Sequence, residues 1–272
     1  MNGGSVALVA GGGLLPLEIA RRLHSRGEAP FVYSIGPAHD ELFEHARSLV
    51  VLSRLELEAL LADMEAKGVK DVILAGLVSK TFMYEPAMLD STMKKLLAEL
   101  SSRDDHSLLG AIVKVMEERG FAVLKYRHII EDWMAPLGHI AGRRPSQEES
   151  EDISYGVGVA SHILPLSFGQ TVVVKGRAVV AVEAMEGTDL TLRRAGRVCR
   201  GGVVVKMMRQ DQDERYDLPV IGKKTIDNMA ASGLTCLAVE AGRTIILEPE
   251  RFKRAASKRD IAVVGVAPCR SL

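Results

Sequence analysis

Two acidic clusters in the second half of the sequence carry residue types suited to chemistry on charged groups. The first is Glu183-Ala184-Met185-Glu186-Gly187-Thr188-Asp189. Alternation puts Glu183 at the end of a strand, and Gly187 permits a tight turn, so Glu186 and Asp189 flank one glycine bend. Two readings are open. Thr188 or Asp189 caps the helix that follows, or the two carboxylates hold a divalent metal. The second cluster is Gln212-Asp213-Glu214-Arg215-Tyr216-Asp217-Leu218-Pro219-Val220-Ile221-Gly222. Pro219 biases Leu218 to an extended shape, which presents Asp217 on a stiffened backbone. The plainer alternative is an exposed charged loop. Mg²⁺ takes oxygen ligands and is commonly held by one or two carboxylates plus substrate phosphates. Phosphoric anhydride hydrolysis uses such an ion to offset charge and a further group to orient water. Arg215 and Lys206 are the cations suited to steady the spreading negative charge.

A third feature lies at the other end of the chain. Gly11-Gly12-Gly13 sits between a strand and a helix, followed by Leu15 and Pro16. Such a bend aims amides and a helix N-terminus at one spot, which suits the phosphate of a nucleotide or nucleotide sugar. A purely steric turn is the alternative. A nicotinamide site would need G-x-G-x-x-G and an acid ending the second strand. Here Pro16 takes the last glycine position, and the second strand ends Tyr33-Ser34-Ile35-Gly36 without an acid. An NAD-dependent oxidoreductase is therefore disfavoured. Lys80, beyond another predicted strand end, is placed to reach the same crevice or simply to face solvent. Asp104-Asp105-His106 opens a helix, either as its acidic first turn or as a group of substrate contacts through Asp105 and His106.

These residues need elements to position them. Ser5–Ala10, Phe31–Ile35, Ser48–Leu52, Asp71–Ala75 and Phe121–Lys125 read as strands alternating with helices, about 14–26, 55–67, 87–100 and 104–118. That order implies a parallel sheet with helices on its faces. Pro136, Gly138, Gly142 and Pro145 break the pattern, so the spacing predicts a Rossmann-like domain over 1–134 and a second α/β domain over 135–272. The second domain is expected to hold a mixed sheet. Gly176-Arg177 and Ala241-Gly242 both read as hairpin turns. Strands at Val203–Met207 and Ile261–Val266 join them, with helices at about 147–164, 223–232 and 249–256. The active site is expected between the two domains.

Composition narrows the classes further. The 272 residues carry 35 Lys+Arg against 35 Asp+Glu, so the basic excess of a general nucleic-acid binder is missing. Cys199, Cys236 and Cys269 are widely spaced, with no CxxC pair, which fits a reducing compartment. No signal peptide is read and no apolar run reaches the roughly 18 residues of a membrane span, so a cytoplasmic location is expected. GxSxG, HExxH and a P-loop are all missing from the sequence.

Taken together and in order, Ala10-Gly11-Gly12-Gly13-x-Leu15-Pro16, Asp104-Asp105-His106, Gly169-Gln170, Glu183-x-x-Glu186-Gly187-Thr188-Asp189 and Gln212-Asp213-x-Arg215-x-Asp217-Leu218-Pro219-x-Ile221-Gly222 resemble the LpxI-type UDP-2,3-diacylglucosamine diphosphatases, over nearly the whole chain. The resemblance implies a hydrolase of lipid A biosynthesis. It would split UDP-2,3-diacylglucosamine into 2,3-diacylglucosamine 1-phosphate (lipid X) and UMP, with Mg²⁺, or Mn²⁺ in its place, at the cytoplasmic side of the inner membrane, as a homodimer. It implies Asp217 as the essential acid. Glu186, Asp189 and Asp213 are implied as metal or water-orienting partners, the metal set being Asp217, Glu186 and Asp189. Gln170, Thr188 and Lys206 join the glycine loop as substrate contacts. One departure stands: the family usually has an Asp where this chain has Ser167. For the two acyl chains, Met83, Met88, Leu89, Met93, Leu96 and Leu97 are a candidate trough, or else a core-facing helix stripe. The rival class is a non-catalytic module that binds or senses a nucleotide sugar or lipid.

Overall fold

The computed structural model describes residues 5–78, 88–100, 105–166, 168–209 and 212–268. Lys80, Met83, Asp104, Ser167 and Cys269 lie outside them. For Asp105 and His106 the helix is described but not the side chains. The chain divides into two compact units. The first is Met1–Glu131 together with Asp213–Asp217, and the second is Asp132–Gln212 with Leu218–Leu272. The acids of the second cluster, Asp213, Glu214 and Asp217, thus belong to the unit built by the first half of the sequence.

In the first unit, β1 (Ser5–Ala10), β2 (Phe31–Ile35), β3 (Ser48–Leu52), β4 (Val69–Ala75) and β5 (Ala122–Val123) form a parallel sheet in the order β3-β2-β1-β4-β5. A parallel sheet is covered on both faces, so its central strands read as apolar runs; β1 from Val6 and β4 from Val72 do so and are buried there. Between the strands run α1 (Leu14–Ser25), the short α2 (Leu42–His45), α3 (Leu57–Ala66), α4 (Ser91–Glu99) and α5 (Asp105–Glu118). Asp90 caps α4 by accepting from the Met93 N–H. This cap starts the helix four residues later than the apolar pattern predicts. Leu57, Leu60 and Met64 of α3, Met93 of α4, and Val113 and Met116 of α5 pack with Val9, Tyr33 and Leu74 of the sheet.

The second unit has β6 (Gly138–Ala141), α6 (Gln147–Ile163), β7 (Thr171–Lys175), β8 (Ala178–Val182), α7 (Thr188–Val198), β9 (Val203–Lys206), β10 (Val220–Ile221), α8 (Lys223–Ala231), β11 (Cys236–Glu240), β12 (Ile245–Ile246), α9 (Pro249–Lys258) and β13 (Ala262–Val266). Its main sheet runs β6-β13-β11-β9-β7-β8. The inner strands β13, β11 and β9 are parallel, and β6, β7 and β8 are antiparallel to their neighbours. Alternation separates the two faces. Val173, Val204, Leu237 and Val263 meet α7, α8 and α9 on one side. Val172, Val205 and Ala238 meet α6 on the other. α6 opens with a full capping box between Ser146 and Glu149.

The two expected hairpins part company here. Gly176 and Arg177 both take positive φ, 60° and 57°, as the two-residue turn between β7 and β8 requires. Ala241-Gly242 does not close a hairpin. β11 has parallel partners on both edges, β9 and β13, while Ile245 and Ile246 pair with β10 in a separate two-stranded sheet. With both edges of β11 filled, the returning chain has no free backbone groups to pair with.

Candidate functional site

The glycine loop is the first part of the site to take shape, and its amides are largely spent on the fold. Gly11 N–H donates to Ala75 O at 2.8 Å, Gly12 N–H to Leu77 O at 2.8 Å, and Leu77 N–H back to Gly12 O at 3.0 Å. A side chain at Gly11 would place its Cβ 2.7 Å from Leu77 O, and one at Gly76 would meet Pro16 Cγ at 2.7 Å. Both glycines are therefore needed for two loops to cross at the carboxyl ends of β1 and β4. Gly13, with φ of 95°, caps α1 without a side-chain hydrogen bond and faces open space. Leu15 and Pro16 are buried under α1. Of the triple-glycine bend, Gly12 and Gly13 are exposed to solvent ahead of the helix start.

Beside this crossing lies a cavity that is partly open to solvent. Its walls are Val9, Ile35, Leu52 and Leu74 from the sheet, Leu57 and Leu60 from α3, Leu89, Met93 and Leu97 around α4, and Leu108, Ile112 and Met116 from α5. Gly11 and Gly76 line it too. Its polar side chains are few: Glu56, Tyr216 and Asp217. An apolar space with a few converging polar groups is the usual form of a small-molecule site.

The segment 213–217 brings Asp217 to this wall. Asp217 N–H donates to Asp213 O at 3.1 Å, closing a turn. Arg215 is clamped between two carboxylates, with Nη2 2.7 Å from Asp213 Oδ2 and Nη1 2.5 Å from Glu117 Oε1 at the end of α5. Tyr216 packs against the apolar cluster of the sheet and α5. Burial would raise the Asp213 pKa, but the Arg215 guanidinium and N–H overcome it and hold the carboxyl below its usual value. Arg215 is raised by the same pairing with Asp213, against burial, with Glu117 adding to it. Asp213 and Arg215 thus neutralise each other and fasten the turn. Asp217 itself is half-buried. Nearby Tyr126 is 1% exposed, and burial first, then the Asp217 carboxylate, pushes its hydroxyl well above the ordinary tyrosine value. Burial likewise pushes the Tyr216 hydroxyl up to about 12, with Asp213 adding to it.

The remaining expected residues lie in the second unit and form their own network. Lys206 at the end of β9 is 8% exposed and donates to Thr188 Oγ1 at 3.0 Å. Thr188 donates in turn to Glu183, 3.0 Å from each oxygen. Glu186 accepts from Arg194 at 2.5 Å and from Thr191 at 3.2 Å. Its own backbone N–H, then Arg194, lowers its pKa. Asp189 pairs with Lys224 at 2.7 Å. Gln170 donates to Gln212 at 3.0 Å, and Gln212 accepts from the Arg209 N–H as well. Arg209 is a member of these networks that the motif reading did not single out, and Gln212, the first residue of the second motif, is joined to it and to Gln170. A dense polar run gave no sign that Gln212 and Arg209 are buried.

The donor chemistry bears on the expected metal. Among the described residues, no group of three or more His, Cys, Asp or Glu is arranged to hold an ion. Glu186 and Asp189 are already committed to Arg194 and Lys224, so Asp217, Glu186 and Asp189 do not fit a ready-made three-carboxylate cage. One carboxylate completed by substrate phosphates does fit the habit of Mg²⁺.

No helix among the described residues is long and apolar enough to cross a membrane. Comparison with known proteins matches residues 5–133 to the LpxI N-terminal domain and residues 136–264 to the LpxI C-terminal domain. A curated relative, the UDP-2,3-diacylglucosamine pyrophosphatase LpxI of Caulobacter vibrioides, is 32% identical over 97% of this chain and 98% of its own length. The chain belongs to the LpxI family.

Proposed function

We propose that this chain hydrolyses the diphosphate of UDP-2,3-diacylglucosamine to lipid X and UMP, a step of lipid A synthesis at the cytoplasmic face of the inner membrane. The single observation that carries this reading is Asp217 at the wall of a mostly apolar cavity. Such a space suits acyl chains, and Leu89, Met93 and Leu97 of the expected trough line it. A space walled mostly by Leu, Ile and Met takes ligands with a large apolar part. Asp217 at the same wall would act where the lipid's polar end emerges.

In the step itself, a water oxygen forms a bond to one phosphorus and the bond from that phosphorus to the bridging oxygen breaks. Asp217 takes the water proton as general base, and the bridging oxygen leaves with the other phosphate. Mg²⁺, or Mn²⁺, when bound, offsets the diphosphate charge; Asp217 with substrate phosphate oxygens would hold it. Lys206 and the start of α7 are offered as contacts for the nucleotide phosphate. A homodimer belongs to the same reading.

Replacing Asp217 by Ala is expected to cut turnover by roughly 10³-fold or more, with far-UV circular dichroism and melting temperature unchanged. The readout is mass spectrometry of UDP-2,3-diacylglucosamine incubated with Mg²⁺. Full activity in Asp217→Ala defeats the assignment. Tight binding by the unaltered chain without product favours the lipid-sensing module instead.

A further inference from the structure

The chain is charge-balanced overall, but the second unit is not balanced from face to face. α6, on one side of the main sheet, carries Glu148, Glu149, Glu151 and Asp152 and no Lys or Arg. The layer α7–α8–α9 on the other side is rich in arginine and lysine. Some of these cations serve the fold, through pairs such as Lys223–Asp227, Arg259–Asp227 and Lys253–Glu250. Arg193 and Arg197 of α7 and Arg254 and Lys258 of α9 are exposed, and no ion pair with a described residue engages them. On α7, Leu190, Arg193, Arg194, Arg197 and Val198 follow the i, i+3, i+4, i+7, i+8 spacing of a single helix face. Its two apolar members stand out in solvent, Leu190 at 50% and Val198 at 70% exposure.

We infer that the α7–α9 face docks on an anionic lipid bilayer, with Arg193, Arg197, Arg254 and Lys258 against headgroup phosphates and Leu190 and Val198 dipping below them. Charge complementarity names the class of surface, since juxtaposed basic residues each add to affinity for anionic leaflets. The apolar pair selects a bilayer over nucleic acid. Buried apolar side chains add to interfacial binding, whereas single-stranded nucleic acid asks for exposed aromatic platforms. The aromatic residue of α7–α9 is Phe252, which is 0% exposed. The inference extends the membrane-surface part of the proposed function and does not depend on its chemistry.

The test is sedimentation of the full chain with phosphatidylcholine vesicles, alone or mixed with phosphatidylglycerol. Binding is expected to the mixed vesicles only, and to fall as salt rises. The quadruple variant Arg193→Gln, Arg197→Gln, Arg254→Gln, Lys258→Gln loses none of the ion pairs that serve the fold. It is expected to bind about 600-fold more weakly, at roughly fivefold for each of the four residues. Leu190→Ser with Val198→Ser is expected to weaken binding less. Equal binding by the quadruple variant, no binding by the unaltered chain, or duplex DNA retained more tightly than the mixed vesicles each overturns the inference. Hydrolysis of detergent-dispersed substrate, measured alongside, separates the two ideas: its absence counts against the proposed reaction and leaves the vesicle result standing.

Discussion

The two cores of this protein are built on opposite principles. In the first unit, Ser34 is the sole fully buried polar or charged residue among the described ones, and the apolar cluster encloses an open cavity. In the second unit, Glu149, Asp152, Lys206, Arg209, Gln212 and Glu240 are all buried, and each has partners. Burying a polar group is costly unless its hydrogen bonds are made, and in this core the Thr171 and Thr244 hydroxyls are left without a partner. The first core therefore keeps room for an apolar guest, and the second fixes its geometry through charge pairs. On the proposed reading, the first core would house acyl chains between adaptable walls, and the second would hold phosphate-binding side chains in fixed positions.

The sharpest way to break this contrast is to unpair a buried charge. Glu149 accepts from both Arg143 Nη atoms at 2.6 Å, from Thr235 at 2.7 Å and from the Ser146 N–H at 2.9 Å. Arg143→Ala leaves that carboxylate with two of its four hydrogen bonds. The second unit is expected to lose roughly 3–5 kcal/mol, read as a drop in the denaturant midpoint with the first unit's transition unmoved. A loss below 1 kcal/mol would mean that the pair does little to hold this core.

Acid probes the same point with a smaller effect. Burial alone would raise the Glu149 pKa, but the Arg143, Ser146 and Thr235 hydrogen bonds bring it down to about 2, from 4.5. A carboxyl lowered on folding stabilises fully above its unfolded pKa and loses that contribution as pH falls toward the folded one. Stability from this group is thus expected to hold above about pH 4.5 and to fall by roughly 3 kcal/mol on approaching pH 2. In Arg143→Ala the acid slope attributable to Glu149 should flatten. An unchanged slope would place the acid sensitivity elsewhere.

The sequence shows some of this contrast and hides the rest, for identifiable reasons. The strand-helix alternation of the first half is plain because parallel strands must be apolar on both faces. The Gly176-Arg177 turn is plain because Gly and alternation mark it locally. Ala241-Gly242 carries a similar local mark. It misleads because pairing partners are chosen by the sheet, and β9 and β13 already occupy both edges of β11. The association of 213–217 with the first unit is hidden for another reason. Its anchor, Glu117, lies 98 positions away from Arg215, and a run of charges reads as a loop wherever it lands. The cavity is half-hidden. Leu89, Met93 and Leu97 suggest a trough, but Leu108, Ile112 and Met116 have the stripe that any core-facing helix shows. Spacing reveals which face is covered, and not whether the space beneath is filled.

That last ambiguity can be settled by one substitution made twice. Ile112 lines the cavity from α5, and Ile226 lies in the solid core of the second unit at 0% exposure. Phe is larger than Ile, so it must find room or make it. At Ile226 no space is offered, and overpacking is expected to cost about 1–3 kcal/mol. At Ile112 the ring can enter the cavity, and filling it is expected to stabilise by about 1 kcal/mol. Turnover should then separate from stability. Ile112→Phe is expected to slow hydrolysis of the diacylated substrate by about tenfold, because the ring and an acyl chain compete for the same volume. A UDP-sugar lacking acyl chains, if turned over at all, should be unaffected. Stabilities shifting in the same direction at both positions would mean that the two interiors are packed alike, and the cavity could no longer be read as space kept for a lipid.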